Sequence, residues 1–295
     1  MSDLKTQGRG GRSRLPLQDR PAVLDSGQAP YWTSGVLGVV AGTGALLSVL
    51  FPGVLHGEPA LDGNLRGTAL VVLVVVLPLL VVAMVRTAHG SARWLVVWIA
   101  AVAHLLYQGF MFSFATPLNN FFLLYVAHLG LAVWAAAALL MHVQVAGFRA
   151  RVDAQLPVKV IASSALVIAA LNGLAWIAAV LPASFTPDPQ SLLDGSGLTT
   201  NPVYVQDLAL WVPAMVLAAV WLWQRRSWGA LLTGALLVFA SLESVTIAAD
   251  QWFGAQADDT STWASAAAVP MFVAAAVLVA LPAVRLLLDV DRARR

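Results

Sequence analysis

Apolar residues run along this chain in long blocks, with most polar residues gathered between them. Eight blocks can be marked, at 33–55, 67–85, 94–115, 118–142, 158–181, 204–224, 228–250 and 263–288. A helix needs roughly 20 mostly apolar residues to cross a bilayer core. The pattern therefore predicts eight spanning helices in residues 31–290, an all-α polytopic membrane bundle. Pro78, Pro213, Pro270 and Pro282 fall within these blocks. Proline is tolerated in membrane helices because neighbouring groups re-satisfy the freed carbonyls.

Composition agrees with the pattern. Only 11% of the 295 residues are charged and 59% are hydrophobic. A soluble domain carries about 25% charged residues, so too few remain here to cover a water-soluble surface. An ordinary cytosolic enzyme, a nucleic-acid binder with a basic face and a disordered protein are all excluded. The chain has no cysteine, which removes disulfides, thiolate metal sites, iron–sulfur clusters and a Cys nucleophile. There is no phosphate-binding glycine loop and no H-E-x-x-H helix.

Charge sets the expected orientation. With the N-terminus inside, Lys5, Arg9, Arg12, Arg14, Arg20, Arg86, Arg93, Arg149, Arg151, Lys159, Arg225, Arg226, Arg285, Arg292, Arg294 and Arg295 all lie on the cytoplasmic side, and only Arg66 lies outside. That asymmetry follows the positive-inside rule. It predicts both termini in the cytoplasm, and arginine and alanine richness suggests a bacterial inner membrane. Residues 1–30 are polar and basic and read as a disordered cytoplasmic tail, with no cleavable signal sequence. Two outer loops, 52–66 and 182–203, are long enough to fold over something.

Ionisable and amide groups within a membrane are costly and are candidates for function. Here they are His104, Tyr107 and Gln108 on span 3, Asn120, Tyr125 and His128 on span 4, Asn172 on span 5, Asp207 on span 6, and Glu243 on span 7. Counted at 1.5 Å per residue, Asp207 sits about 5 Å below the outer surface, Glu243 about 10 Å, Asn172 about 13 Å and the two histidines about 15 Å. This polar ladder predicts a pocket open to the outside, lined by these nine residues and surrounded by spans 3 to 7. A carboxylate such as Glu243 could carry a proton or bind a cation there. The blander readings are interhelical hydrogen bonding for Asn172 and Gln108 and interfacial placement for Tyr125 and for Asp250, at the outer end of span 7.

Residues 125–133 (YVAHLGLAV) match 204–212 (YVQDLALWV) at five of nine positions. Gln108-Gly109, Asn172-Gly173 and Glu243-Ser244 each put a polar residue before a small one. Repeated hairpins in parallel orientation would explain both, as would chance among Leu/Val-rich helices. His104 and His128 lie at matched depth about the hairpin tip, the spacing of bis-histidine haem ligation. His89 and His142 form a second matched pair. Against haem b stand the loop position of His89 and the closeness of consecutive helices, so no cofactor is expected.

Residues 105–107, 119–127 and 198–208 resemble a family of multipass bacterial membrane proteins without an assigned activity. The resemblance covers spans 3 to 7. It implies an eight-span-like fold and carries no site residues. Asn201-Pro202, within it, reads as a helix cap followed by a first-turn proline.

The sequence thus predicts an outward-facing pocket for a small solute, ion or apolar ligand, serving transport or sensing. The expected partners are the lipid bilayer and that ligand. A membrane enzyme, a b-type redox protein and an assembly subunit are the other readings. Oligomeric state is not encoded in any pattern found.

Overall fold

The computed structural model describes residues 22–292, the side chain of Pro52 excepted. The expected tail up to residue 21 lies outside the described residues. Eight helices are long and apolar enough to cross a membrane, as an integral membrane protein requires. They are α1 (Ala29–Leu50), α2 (Pro59–Ala88), α3 (Ala92–Phe114), α4 (Phe122–His142), α5 (Val158–Ala183), α6 (Pro202–Trp223), α7 (Gly229–Ala257) and α8 (Ala266–Asp289). The described chain is all-helical, with only isolated bridges outside the helices.

Two helices are longer than their apolar blocks. α2 starts at Pro59, so most of the expected loop 52–66 is helical and holds Asp62, Asn64 and Arg66 within its first turns. α7 continues past Asp250 to Ala257. The two excesses meet. Gly63 and Gly67, one turn apart on α2, lie against Phe253, Gly254, Ala249 and Asp250 of α7. A Cβ added to Gly67 would stand 2.7 Å from the carbonyl carbon and oxygen of Ala249. Small residues at this spacing let membrane helices approach to backbone contact. Thr68, next on α2, donates from its hydroxyl to Asp250 at 2.9 Å. Asp250 is therefore an interhelical acceptor.

α3 is buried along most of its length and forms the centre of the bundle. α4 packs on it and on α1, while α7 packs on α2, α3, α6 and α8. α5 leans on α6 and touches α8 less closely. It barely reaches α7, so a space remains between α5 and α7.

α2 and α6 each contain one π-helical turn, at Val72–Val76 and Asp207–Trp211. Each turn stands two residues before a proline, Pro78 and Pro213. Proline lacks an N–H and its ring clashes with the carbonyl four residues back. The wider turn absorbs that clash and closes on bonds five residues long, Leu77 N–H to the Val72 carbonyl and Val212 N–H to the Asp207 carbonyl. Asn201 caps α6, its side chain accepting from Val203 N–H at 2.9 Å.

The two ends of the described chain lie on one face. Residues 22–28, counted with the tail in the sequence, run against the end of α4: Asp25 N–H donates to the His142 carbonyl, and Gln144 N–H to the Val23 carbonyl. Asp291, at φ 67°, accepts from the Ser91 hydroxyl at 2.9 Å and from Arg93 N–H at 3.2 Å. It caps α3 from the far end of the chain. On the opposite face, the 182–203 loop meets its neighbours where Trp263 donates to the Asp194 carbonyl at 2.7 Å. Beyond α7, Asp258 is held below the usual aspartate range by the Thr260 hydroxyl and backbone N–H.

The backbone contact of α2 with α7 predicts an asymmetric response to alanine. Gly67→Ala should lower stability by about 1–3 kcal/mol through overpacking. Gly35→Ala, with nothing near the added Cβ, should be neutral or slightly stabilising. Thermal unfolding midpoints in detergent micelles check both, and equal midpoints would contradict the contact.

Candidate functional site

The space between α5 and α7 is a groove of about 1070 Å³, walled by α5, α6, α7 and α8. Its lining is largely apolar, with Val167, Ile168 and Leu171 on one side and Phe272, Leu278 and Val279 on another. Its lips, Val160, Val167 and Leu171 on α5 and Leu278 on α8, are more than half exposed. The groove therefore opens sideways between α5 and α8. The sequence ladder instead pointed to an opening through the loop-covered face. Lengthwise, the groove runs from Lys159 at the face that holds the chain ends to Trp176 and Val203 near the other.

Two carboxylates stand on this wall, Asp207 and Glu243. Asp207 opens the π-helical turn of α6 and is buried. Its Oδ2 accepts from the Trp176 indole at 2.7 Å and the Asn172 amide at 3.2 Å, both on α5. The Tyr107 hydroxyl of α3 also bonds it. Asn172 and Trp176 are one turn apart on α5, so a single helix face supplies two donors. Three donors serve the acceptors of Asp207 and tie α3, α5 and α6 together.

Glu243 is held differently. Its Oε2 accepts from the Gln108 amide at 2.8 Å and lies 3.4 Å from His104 Nε2. His104 Nε2 in turn lies 2.9 Å from the Thr246 hydroxyl, which donates to the Leu242 carbonyl. That network puts the proton of His104 on Nε2, an assignment made from the donors and acceptors around it. His104 and Gln108 share one face of α3, and Glu243 and Thr246 one face of α7. Glu243 lines the groove, and its side chain keeps 14% of its surface exposed. Behind both carboxylates is an aromatic cluster. Trp211 stacks on Phe239 at 4.4 Å between centroids, and Tyr107 lies 5.7 Å from Phe239 and 6.0 Å from Trp211.

Six of the nine sequence candidates thus form one connected region. Glu243, Asp207, Tyr107 and Asn172 face the groove, with Gln108 and His104 directly behind Glu243. The other three stand apart. His128 is buried against α3, where its ring bonds the Leu105 carbonyl. Tyr125 is buried in a stack on Phe112, with centroids 5.3 Å apart, close to Gly44 of α1. Asn120 is exposed in the turn between α3 and α4. Depth along a helix does not say which neighbour a side chain meets, and none of these three lines the groove. Trp176, Trp211 and Thr246 join the region without having been singled out. Trp176, four residues after Asn172, and Thr246, three after Glu243, carried a same-face signal in their spacing.

Haem does not fit the His104–His128 pair. A Cβ on Gly109 of α3 would stand 2.9 Å from the Leu129 Cα of α4, so the two helices touch where a porphyrin would lie. Among the described residues, no group of three His, Asp or Glu side chains is arranged to hold a metal ion. The hairpin repeat is partial. Gly109 packs on α4 at Leu129, whereas Gly173 packs on α6 at Val212, one turn beyond the matching position. Gln108 reaches across to Glu243 and not to His128, so the hydrogen bonding is not repeated.

Comparison with protein-family models, with curated proteins and with solved structures finds no match. The class defined by the fold is an eight-helix chain suited to a multi-pass membrane protein, and its activity has to be argued from the groove.

The network around Glu243 predicts that Gln108→Leu lowers stability by about 1–3 kcal/mol, because it strips a hydrogen bond from a buried carboxylate. The midpoint of thermal unfolding in micelles reads this out. An unchanged midpoint would mean that Glu243 does not depend on Gln108.

Proposed function

We propose that the protein binds a lipophilic cation, such as an amphiphilic amine, and serves its transport or sensing. The observation that carries this reading is the partly exposed carboxylate of Glu243 on the wall of a largely apolar groove. An apolar body would occupy the groove between α5 and α8, entering from the bilayer through its lateral opening. The positive group would meet Glu243, with Tyr107, Trp211 and Phe239 beside it. Aromatic faces add cation–π attraction, strongest where water is excluded. Ligand pockets commonly measure about 300–1,000 Å³ and are mostly apolar with a few polar groups, and this groove resembles them. Asp207, already served by three donors, would hold the geometry of α5, α6 and α3 around the ligand.

The test uses tetraphenylphosphonium as the probe, measured by equilibrium dialysis against the protein in nanodiscs. Saturable binding is expected, weakened about tenfold or more by Glu243→Gln, in line with loss of a charged partner. Melting and elution of the variant like wild type would exclude misfolding. Absence of saturable binding, or equal binding by the variant, would overturn the reading.

The face holding Arg86, Arg93, Arg149, Arg151, Lys159, Arg225 and Arg226 is read as cytoplasmic, which gives N-in/C-in topology in a bacterial inner membrane. Because the chain lacks cysteine, Asp259→Cys and Arg86→Cys are clean probes for the two faces. A membrane-impermeant maleimide added to intact cells should label the first and spare the second. The reverse pattern would invert the topology.

A further inference from the structure

A second pocket lies at the face that holds the chain ends, between the start of α5 and the α6–α7 turn. It encloses about 300 Å³ and is lined by Arg149, Arg225, Arg226 and Ser227 over a floor of Val158, Leu222 and Ala230. Arg149 comes from the short helix Val145–Arg149 after α4, and the other two arginines from the α6–α7 turn. Arg149 donates to the Ser227 hydroxyl at 3.3 Å. Among the described residues no carboxylate lies within ion-pair distance of any of the three. The one acidic lining residue, Asp153, accepts from Gln155 N–H.

The backbone holds these arginines in place at a cost. Arg225 N–H donates to the Leu222 carbonyl and Arg226 N–H to the Trp221 carbonyl, the paired bonds that close a helix on a left-handed residue. That position usually takes glycine. Here Arg225 takes it, at φ 55°. A non-glycine residue in this region is an outlier that points to function. The turn is also fixed from below, because Gly229 packs directly on the Leu222 backbone.

We propose that this pocket binds the phosphodiester headgroup of an anionic phospholipid. A converging set of guanidinium groups is the arrangement that recognises phosphate. Membrane surroundings select the lipid over a free ion. Trp221, Trp223 and Trp228 flank the arginine pair, and tryptophan marks the headgroup level. Trp223 is half exposed beside the pocket. Val158 of its floor is followed directly by Lys159 and Val160, which line the end of the apolar groove. An acyl chain could leave the headgroup along that surface. Basic pockets between helices at the cytoplasmic side bind anionic headgroups in this way. The inference stands independently of what the groove itself takes.

The experiment reconstitutes the full chain in nanodiscs of equal phosphatidylcholine and phosphatidylglycerol, then counts retained lipids by native mass spectrometry. Wild type should retain phosphatidylglycerol preferentially. The Arg225→Gln/Arg226→Gln variant should lose that preference by about fivefold for each arginine, and Arg149→Gln, which leaves the left-handed Arg225 position unchanged, by a similar step. Arg86→Gln, an exposed arginine at the same face, should retain it. Equal loss in Arg86→Gln would reduce the effect to general surface charge and overturn the site. Displacement of the lipid by excess inorganic phosphate would overturn the lipid reading in favour of a free anion. No preference in wild type would overturn both.

Discussion

α7 can be in only one place, and the arrangement of the other helices follows from it. Its contact with α2 is made backbone to backbone through Gly63 and Gly67, with the Thr68–Asp250 hydrogen bond beside it. In a bilayer, apolar side chains gain little by leaving lipid for one another, so close packing and hydrogen bonds decide which helices associate. α7 is committed to α2 along one face and to α3 through Gln108–Glu243 and His104–Thr246. It cannot also close on α5. The groove is the volume left by that commitment, and α5 is positioned instead by Asn172 and Trp176 reaching Asp207.

Much of this fold was legible in the amino-acid sequence, because lipid imposes a simple rule. Every backbone group must bond within its own helix, so spans must be long and apolar. The errors fell where polar residues are helical for a tertiary reason. Asp62, Asn64 and Arg66 looked like a loop, yet the glycines among them serve the α2–α7 contact. Asp250 was read as the outer end of its span, yet the helix runs on to Ala257 and Asp250 is an acceptor for Thr68.

The candidate site was half legible. Rise per residue put Glu243 about 5 Å above His104, yet in the bundle Glu243 reaches both His104 and Gln108. Nor does rise fix which neighbour a face meets. His128 shares a height with His104, but α4 turns it into the α3 contact at Leu105. The two π-helical turns compound this, since each shifts the facing of every residue before it. Asp207 stands at the start of one of them, and its partners depend on the proline six residues later. No periodicity anticipates that.

The cap on α3 has a consequence for how the protein is made. Asp291 follows α8, yet it accepts from Ser91 and Arg93 at the start of α3, far earlier in the chain. Arg93 also reaches back to the Val290 carbonyl. Until the end of α8 has been made, the start of the most buried helix lacks its partner. The bundle is latched only when the end of α8 arrives. Deleting residues 290–292 would therefore injure the middle of the protein, and a quality-control protease probing the segment after α8 would be reading whether the whole bundle had closed.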